Sequence, residues 1–447
     1  MRATAAEPSG LHAVLSHGPD DILALRGGEA VRAGQFRRDV AALAVLLPER
    51  GFLVNLCQDR YRFMVGFAAA LMRGQVTLMP AANTPGIMAA LAEDYPGLYA
   101  LTDKGPPDLP HLLFPEKLDS GQEEAALVIP AAQPAVVLFT SGSTGRPKPV
   151  GKSWGTLVES ARTAGARLNA GAFRAGCIIG TVPHQHSYGL ESIILLGWCH
   201  GLAISAACPL FPADVRAALE AAPLPRLLVT TPVHLRALTA EPGGMPPLGL
   251  ALSATAPLPE DLAERAEACF QAPLIEIYGC TEAGQIATRR TTRDSDWLCF
   301  DAVSLHEGGG GWWASGPAVE GIAPVQDEIE PTGAGRFRLG SRSADLVNIA
   351  GKRSSISYLN HQLLGIAGVE DGTFLVEEAV GEAVPRLKAL VVAPGLPAEE
   401  IMQALRAVLD PAFLPRPLIH VAALPRNPLG KLLRADMLKL AAAEAAD

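Results

Sequence analysis

Apolar positions along the first half of the chain fall into short runs separated by amphipathic stretches. Phe52–Leu56 is an apolar run of strand length, Arg60–Arg73 carries apolar residues at helical spacing, and Gln75–Met79 is strand-like again. Pro80-Ala-Ala-Asn-Thr-Pro85 then reads as a loop. Further β-like runs lie at Val136–Phe139, Ile178–Val182, Leu227–Thr230, Leu250–Ser253 and Leu274–Ile277, each followed by small or polar residues. Strands alternating with helices predict parallel pairing with helices packed on the sheet, which makes the fold class α/β. In such sheets ligands bind at the loops beyond the strand ends. A glycine patch, Gly308 to Gly311, precedes a strand-like Trp312-Trp313, and after Arg342 a shorter unit runs to an Ala/Leu/Glu-rich helix.

Ser192 to Phe211 carries no formal charge over twenty residues, long enough to span a bilayer. His200-Gly201 and Pro209 interrupt it, so the expectation is a buried helix ending near His200 and a strand through Leu202–Ala206, with no membrane span. A chain of 447 residues suggests two or three domains at about 150 residues each. With 44 Gly, 37 Pro and only 5% aromatics, it predicts many turns around a core of Ala, Leu, Val and Ile. The net charge of −9 disfavours nucleic acid as a partner, because no basic footprint is available to neutralise phosphates. Seven cysteines without a C-x-x-C pair suggest neither a disulfide framework nor a thiolate zinc site. With an N-terminus that lacks the order of a signal peptide, they predict a cytoplasmic location.

The strongest chemical signal is Leu138-Phe-Thr-Ser-Gly-Ser-Thr-Gly-Arg-Pro-Lys148. A strand feeds a loop whose glycines let the backbone approach an anion, whose hydroxyls and N–H groups donate to phosphate oxygens, and whose Lys148 adds charge. It is not the G-x-x-x-x-G-K-[ST] nucleotide loop, since its lysine follows a proline and precedes Pro149.

Thr140-Ser-Gly-Ser-Thr-Gly-Arg-Pro-Lys148 resembles the phosphate-binding signature of the acyl-adenylate-forming superfamily, which includes acyl- and aryl-CoA synthetases and adenylation domains. The resemblance continues in order. Pro183-His-Gln-His-Ser-Tyr-Gly189 is similar to the family's acid-pocket loop, Ser253-Ala-Thr-Ala-Pro-Leu258 stands at its adenine loop, and Tyr278-Gly-Cys-Thr-Glu282 matches its Tyr-Gly-x-Thr-Glu motif. Gly316–Gly321 resembles a following turn, Asp327 and Arg342 the ribose pair, Asp345–Gly351 the start of the small domain, and Pro425–Arg434 the closing motif.

The resemblance implies a large, multi-subdomain N-terminal domain of parallel-rich sheets, residues 1–341, that binds ATP and acid. A small mobile α+β lid, residues 342–447, would carry the catalytic Lys431. It implies that a carboxylate attacks the α-phosphorus of ATP and that the acyl group then passes to a phosphopantetheine thiol, of CoA or of an acyl carrier protein. Thr140, Ser141, Gly142, Ser143, Thr144, Gly145 and Lys148 would hold phosphates, and Glu282 with Thr140 a magnesium ion. Ala254, Thr255, Ala256, Tyr278, Gly279 and Thr281 would surround the nucleotide, with Asp327 and Arg342 on the ribose. His186, Tyr188, Gly189, Gly279 and Cys280 would border the small carboxylic acid, and Gly351 and Lys352 the thiol's approach. On the residues alone Glu282 could also be a first-turn helix glutamate, Tyr278 a core ring, and the histidines 184 and 186 loop residues satisfied by carbonyls.

The loops at 181–191, 351–353 and 360–364 are similar to compact ligases of aryl-polyene and xanthomonadin-type pathways, which load a hydroxylated aromatic acid onto a carrier protein. Medium- or long-chain fatty acids are the alternative substrate, and an inactive nucleotide-binding interaction protein is the alternative of another class. Retention of Lys148, Glu282, Asp327, Arg342 and Lys431 argues against the latter. The chain departs from the pattern at Pro149, at Ala254 and Ala256 where glycines are usual, at Ala344 where the hinge residue is usually acidic, and in only 45 residues between Glu282 and Asp327.

Overall fold

The computed structural model describes residues 10–80, 83–105, 109–119, 121, 127–140, 148–309, 311–342, 346–349, 352–377, 386–409, 411–426 and 432–443. They form two compact units, one running to Gly308 and including Trp313–Val325, the other comprising Gly309–Trp312 and the chain from Gln326 onward.

Two large sheets dominate the first unit, beside two small ones of two and three strands. One has the order Lys148–Ser153, Pro134–Thr140, Val76–Met79, Phe52–Asn55, Tyr99–Thr102, His111–Leu113. Its strands pair in parallel except at the edge formed by Lys148–Ser153. In the other, Leu274–Cys280, Leu250–Ser253, Arg226–Thr230, Cys177–Gly180, Ala203–Ser205 and Ile22–Arg26 run parallel. Antiparallel partners flank them, Gly284–Arg289 at one side and Glu29–Arg32 at the other. The alternation expected from the apolar runs is therefore present, but the first sheet has an antiparallel edge at Lys148–Ser153 and the second at Glu29–Arg32. There the chain turns back through a short hairpin, which no helix crossover permits. One expectation changes in consequence: the run at Leu274 does not stop at Ile277 but continues as strand to Cys280.

The uncharged tract is a buried helix. From Ser187 to His200 the chain is helical, with a π-helical stretch at Leu190–Leu195, and it stops at Gly201 in the left-handed region (φ 71°). Among the described residues no helix is long and apolar enough to cross a membrane. All seven cysteines are free thiols.

Buried Arg60, first residue of the helix Arg60–Met72, ties the two sheets together. Its Nη1 donates to the carbonyls of Ser205 and Ala207 (both 2.7 Å), and its Nη2 to Gly180 (3.0 Å) and Val182 (3.3 Å). The guanidinium thus satisfies carbonyls at the ends of two strands, just where the loop from Pro183 begins. Only a planar group with several divergent donors can do this.

The second unit is simpler. A sheet of Asp371–Glu377, Arg386–Val392 and Leu418–His420 alternates its side chains between two cores. Phe374, Ala389 and Val391 meet Leu359, Leu363, Ile401 and Leu405 on one face. Leu375, Leu390, Val392 and Ile419 meet Met437 and Ala441 on the other. The period of two is what a strand buried on both faces requires.

Candidate active site

Thr140 and Lys148 are direct partners across an antiparallel pair, so residues 141–147 connect two adjacent strand ends. Ser141, Gly142, Ser143, Thr144 and Gly145 lie outside the described residues. Lys148 is exposed at the rim. Further along the same strand Ser153 donates to the Glu320 carboxylate through its N–H (2.8 Å) and Oγ (2.9 Å), and Thr156 Oγ1 adds a third donor at 2.8 Å. The Gly316–Gly321 turn is thereby anchored to the strand Lys148–Ser153.

Tyr278-Gly-Cys-Thr-Glu282 lies on a β-hairpin. Leu274–Cys280 pairs antiparallel with Gly284–Arg289, and Thr281, Glu282 and Ala283 form the turn. Glu282 is therefore not a first-turn helix residue. Gly284 takes φ +80°, which disfavours any side chain, and a Cβ on Gly279 would come within 2.3 Å of the Gly284 carbonyl. Inside the turn the Ala283 N–H donates to Cys280 Sγ at 3.4 Å. The Glu282 carbonyl accepts from Lys152 Nζ at 2.8 Å, while the half-buried carboxylate has no ion-pair or hydrogen-bond partner among the described residues.

Beneath this turn sits a polar cluster that no motif announces. Lys152 and Glu191 are buried, at 3% and 4% exposure. An added Cβ on Gly284 would lie 3.5 Å from a Glu191 carboxylate oxygen and 3.7 Å from Lys152 Nζ, so both head groups converge under the hairpin. Ser160 Oγ donates to Glu191 at 2.8 Å. Burial pushes the Glu191 carboxyl up and the Lys152 ammonium down, and the attraction between them opposes both shifts.

In the loop after Leu250–Ser253, Ala254 is buried and Thr255 and Ala256 are partly exposed. The left-handed conformation usually given to glycine falls on Thr255 (φ 78°), between the two alanines. A non-glycine residue there costs about 1 kcal/mol and persists where its surroundings hold it. Three residues on, the loop is held by Glu276, which is buried and accepts from the Leu258 N–H at 3.2 Å, from Thr291 Oγ1 at 3.0 Å and from Arg289 at 2.8 Å. Arg289 also stacks over Trp297, 4.6 Å from its centroid, and Trp297 meets the buried ring of Tyr278 at 5.5 Å. The ring of Tyr278 is thus both part of the core and fixed beside the hairpin.

The two histidines of the Pro183–Gly189 loop part company. His184 is core: its Nε2 bonds the Cys57 carbonyl (2.9 Å) and its ring packs 4.6 Å from Phe63. Burial lowers its pKa to about 3. His186 stays half-buried, and its Nδ1 accepts from the Tyr188 N–H at 3.2 Å, capping the helix that follows. Tyr188 is buried, and Gly189 has no room for a side chain, since a Cβ would sit 2.0 Å from the Pro183 carbonyl.

In the second unit Asp327 and Arg342 are register partners across a hairpin. Lys352 opens the strand Lys352–Ser355 and pairs with Ile349. Gly351 and Lys431 lie outside the described residues. The segment with Lys431 is bracketed by an antiparallel bridge between Arg426 and Leu432. A two-pronged ion pair from Arg426 to Asp371 (2.8 and 2.6 Å) holds its base.

Among the described residues no group of three His, Cys, Asp or Glu side chains could close around a metal ion. Magnesium needs no such cage: it keeps its waters and binds through one or two carboxylates and substrate phosphates. Glu282, alone at a rim turn with an unpaired carboxylate, fits that habit.

Residues 81–303 match the family described as AMP-binding enzyme. A 4-coumarate–CoA ligase of Rhodobacter capsulatus is 32% identical over 257 residues, 57% of this chain. The matched stretch spans 62% of that ligase's length. A 4-coumarate–CoA ligase of Cereibacter sphaeroides is 26% identical over 356 residues, 77% of this chain and 82% of its own. Among solved structures, the o-succinylbenzoate coenzyme A synthetase MenE from Bacillus subtilis, in complex with AMP, superposes with a TM-score of 0.81. It is 19% identical and the match covers 95% of this chain and 98% of that one, which establishes a common fold.

Proposed function

The chain belongs to the AMP-binding enzyme family, and from that premise we propose that it joins a carboxylic acid to ATP, releases pyrophosphate, and transfers the acyl group to a thiol. One observation carries the reading. Lys152, on the strand that leaves the 140–148 motif, holds the carbonyl of Glu282, 130 residues away in sequence.

The carboxylate nucleophile is already anionic, so the protein needs no general base. It must bring two anions together and stabilise the charge that develops at the α-phosphorus. Residues 140–145 and Lys148 are assigned to the phosphates, Asp327 and Arg342 to the ribose, and residues 254–256, Tyr278, Gly279 and Thr281 to the base and its surroundings. Glu282 and Thr140 would hold a magnesium ion, which neutralises phosphate charge when bound. Lys431 supplies the cation between α-phosphate and carboxylate, carried by residues 342–447 acting as a lid. Gly351 and Lys352 then line the approach of CoA or of carrier-protein phosphopantetheine.

The acid is a hydroxylated aromatic one. Both curated relatives above are named for 4-coumarate. His186, Tyr188, Gly189, Gly279 and Cys280 are the residues assigned to it. Pyrophosphate exchange against hydroxycinnamates, hydroxybenzoates, benzoate and fatty acids tests the reading, followed by thioester formation with CoA and with holo carrier protein. Exchange driven by aromatic acids is expected, with a loss of at least about a thousandfold in Lys431→Ala while ATP still binds. Exchange with fatty acids alone would reassign the substrate, and no exchange with any acid would remove the activity.

A further inference from the structure

We propose that Lys152 is a positioning residue for magnesium–ATP, holding the Glu282 turn through its main chain while Glu191 supplies the buried counter-charge. The inference rests on the proposed function and adds to it a residue outside every motif that suggested that function.

The geometry is specific. Lys152 Nζ reaches the Glu282 carbonyl at 2.8 Å, so the ammonium is spent on backbone and leaves the Glu282 side chain untouched. Glu191 enters from the π-helical stretch Leu190–Leu195, an irregularity frequent at functional sites. Ser160 holds one Glu191 oxygen, and Gly284 leaves open the space into which both charged ends project. Apolar side chains would fill such a space at lower desolvation cost, so a buried charged pair is poor material for stability alone. What it provides is a side-chain donor on the Glu282 carbonyl itself, within the turn that the hairpin ladder closes. Because Lys152 and Ser153 are adjacent, one strand sets both the Glu282 turn and, through Glu320, the Gly316–Gly321 turn.

Lys152→Met alone would strand Glu191 without a counter-charge, so the informative variant is Lys152→Met with Glu191→Gln, compared with Lys152→Arg. ATP binding to the full chain is measured by calorimetry, without acid, across a magnesium titration and in EDTA, alongside thermal unfolding. The double variant should keep its fold and its ATP affinity in EDTA. The magnesium needed for half-maximal tight binding should rise by about tenfold or more, as when an outer-shell partner of a metal ligand is removed. Lys152→Arg keeps a donor and should recover most of the loss. An unchanged magnesium requirement in the double variant, or equal losses with and without magnesium, would overturn the role of Lys152. A wild-type chain that binds ATP without regard to magnesium would instead overturn the proposed function.

Discussion

The two units hold their loops in different ways. In the first, turns at the sheet ends are held from below by buried charge: Lys152 under the Glu282 turn, Glu276 under the 254–258 loop, and Arg60 under the start of the Pro183 loop. In the second, a two-faced apolar sheet does the folding, and a part-exposed pair, Arg426 with Asp371, braces the base of the segment that carries Lys431. A buried charge with several partners fixes a backbone position closely because each lost bond is left unpaired. A pair near water exchanges its bonds for solvent and fixes much less.

The contrast can be broken by mutation. Glu276→Ala removes the acceptor of three donors at a site that is nearly sealed, and chemical denaturation should show a loss of about 3 kcal/mol. Arg426→Ala should cost about 1 kcal/mol, because both partners keep some access to solvent. Equal losses would mean that the two units are braced alike.

An effect between those two comes from His184. Its folded-state pKa is lowered to about 3, so between there and its ordinary value the unfolded chain binds the extra proton and stability falls with falling pH. Going from pH 7 to pH 5 should cost about 2 kcal/mol through this residue, seen as the difference in pH slope between wild type and His184→Gln. An identical slope would put a charged, solvated histidine in place of the core one.

Thr255→Gly should have the mildest effect. Releasing the left-handed strain should stabilise the fold by up to about 1 kcal/mol in the same denaturation assay. A destabilised variant would show that the threonine side chain itself is needed in the loop.

Much of this was legible in the chain before folding. The β-like runs became strands, the uncharged tract became a buried helix stopping at Gly201, and the motif order carried the family. These features are local, or depend on residue type at fixed spacing, and short-range sterics and period suffice to set them. Thr140 opposite Lys148 and Asp327 opposite Arg342 needed only the hairpin register to meet.

The rest belonged to the tertiary structure. That Glu282 sits in a β-turn and not at a helix start depended on where an antiparallel strand returned. Two histidines separated by one residue took opposite fates because Phe63 and the Cys57 carbonyl, far off in sequence, closed over one of them. Lys152 and Glu191 look like ordinary surface charges when read along the chain. Only the convergence of an edge strand, a π-helical stretch and a hairpin buries them together, because the cost of desolvating each is offset only where the other is already present.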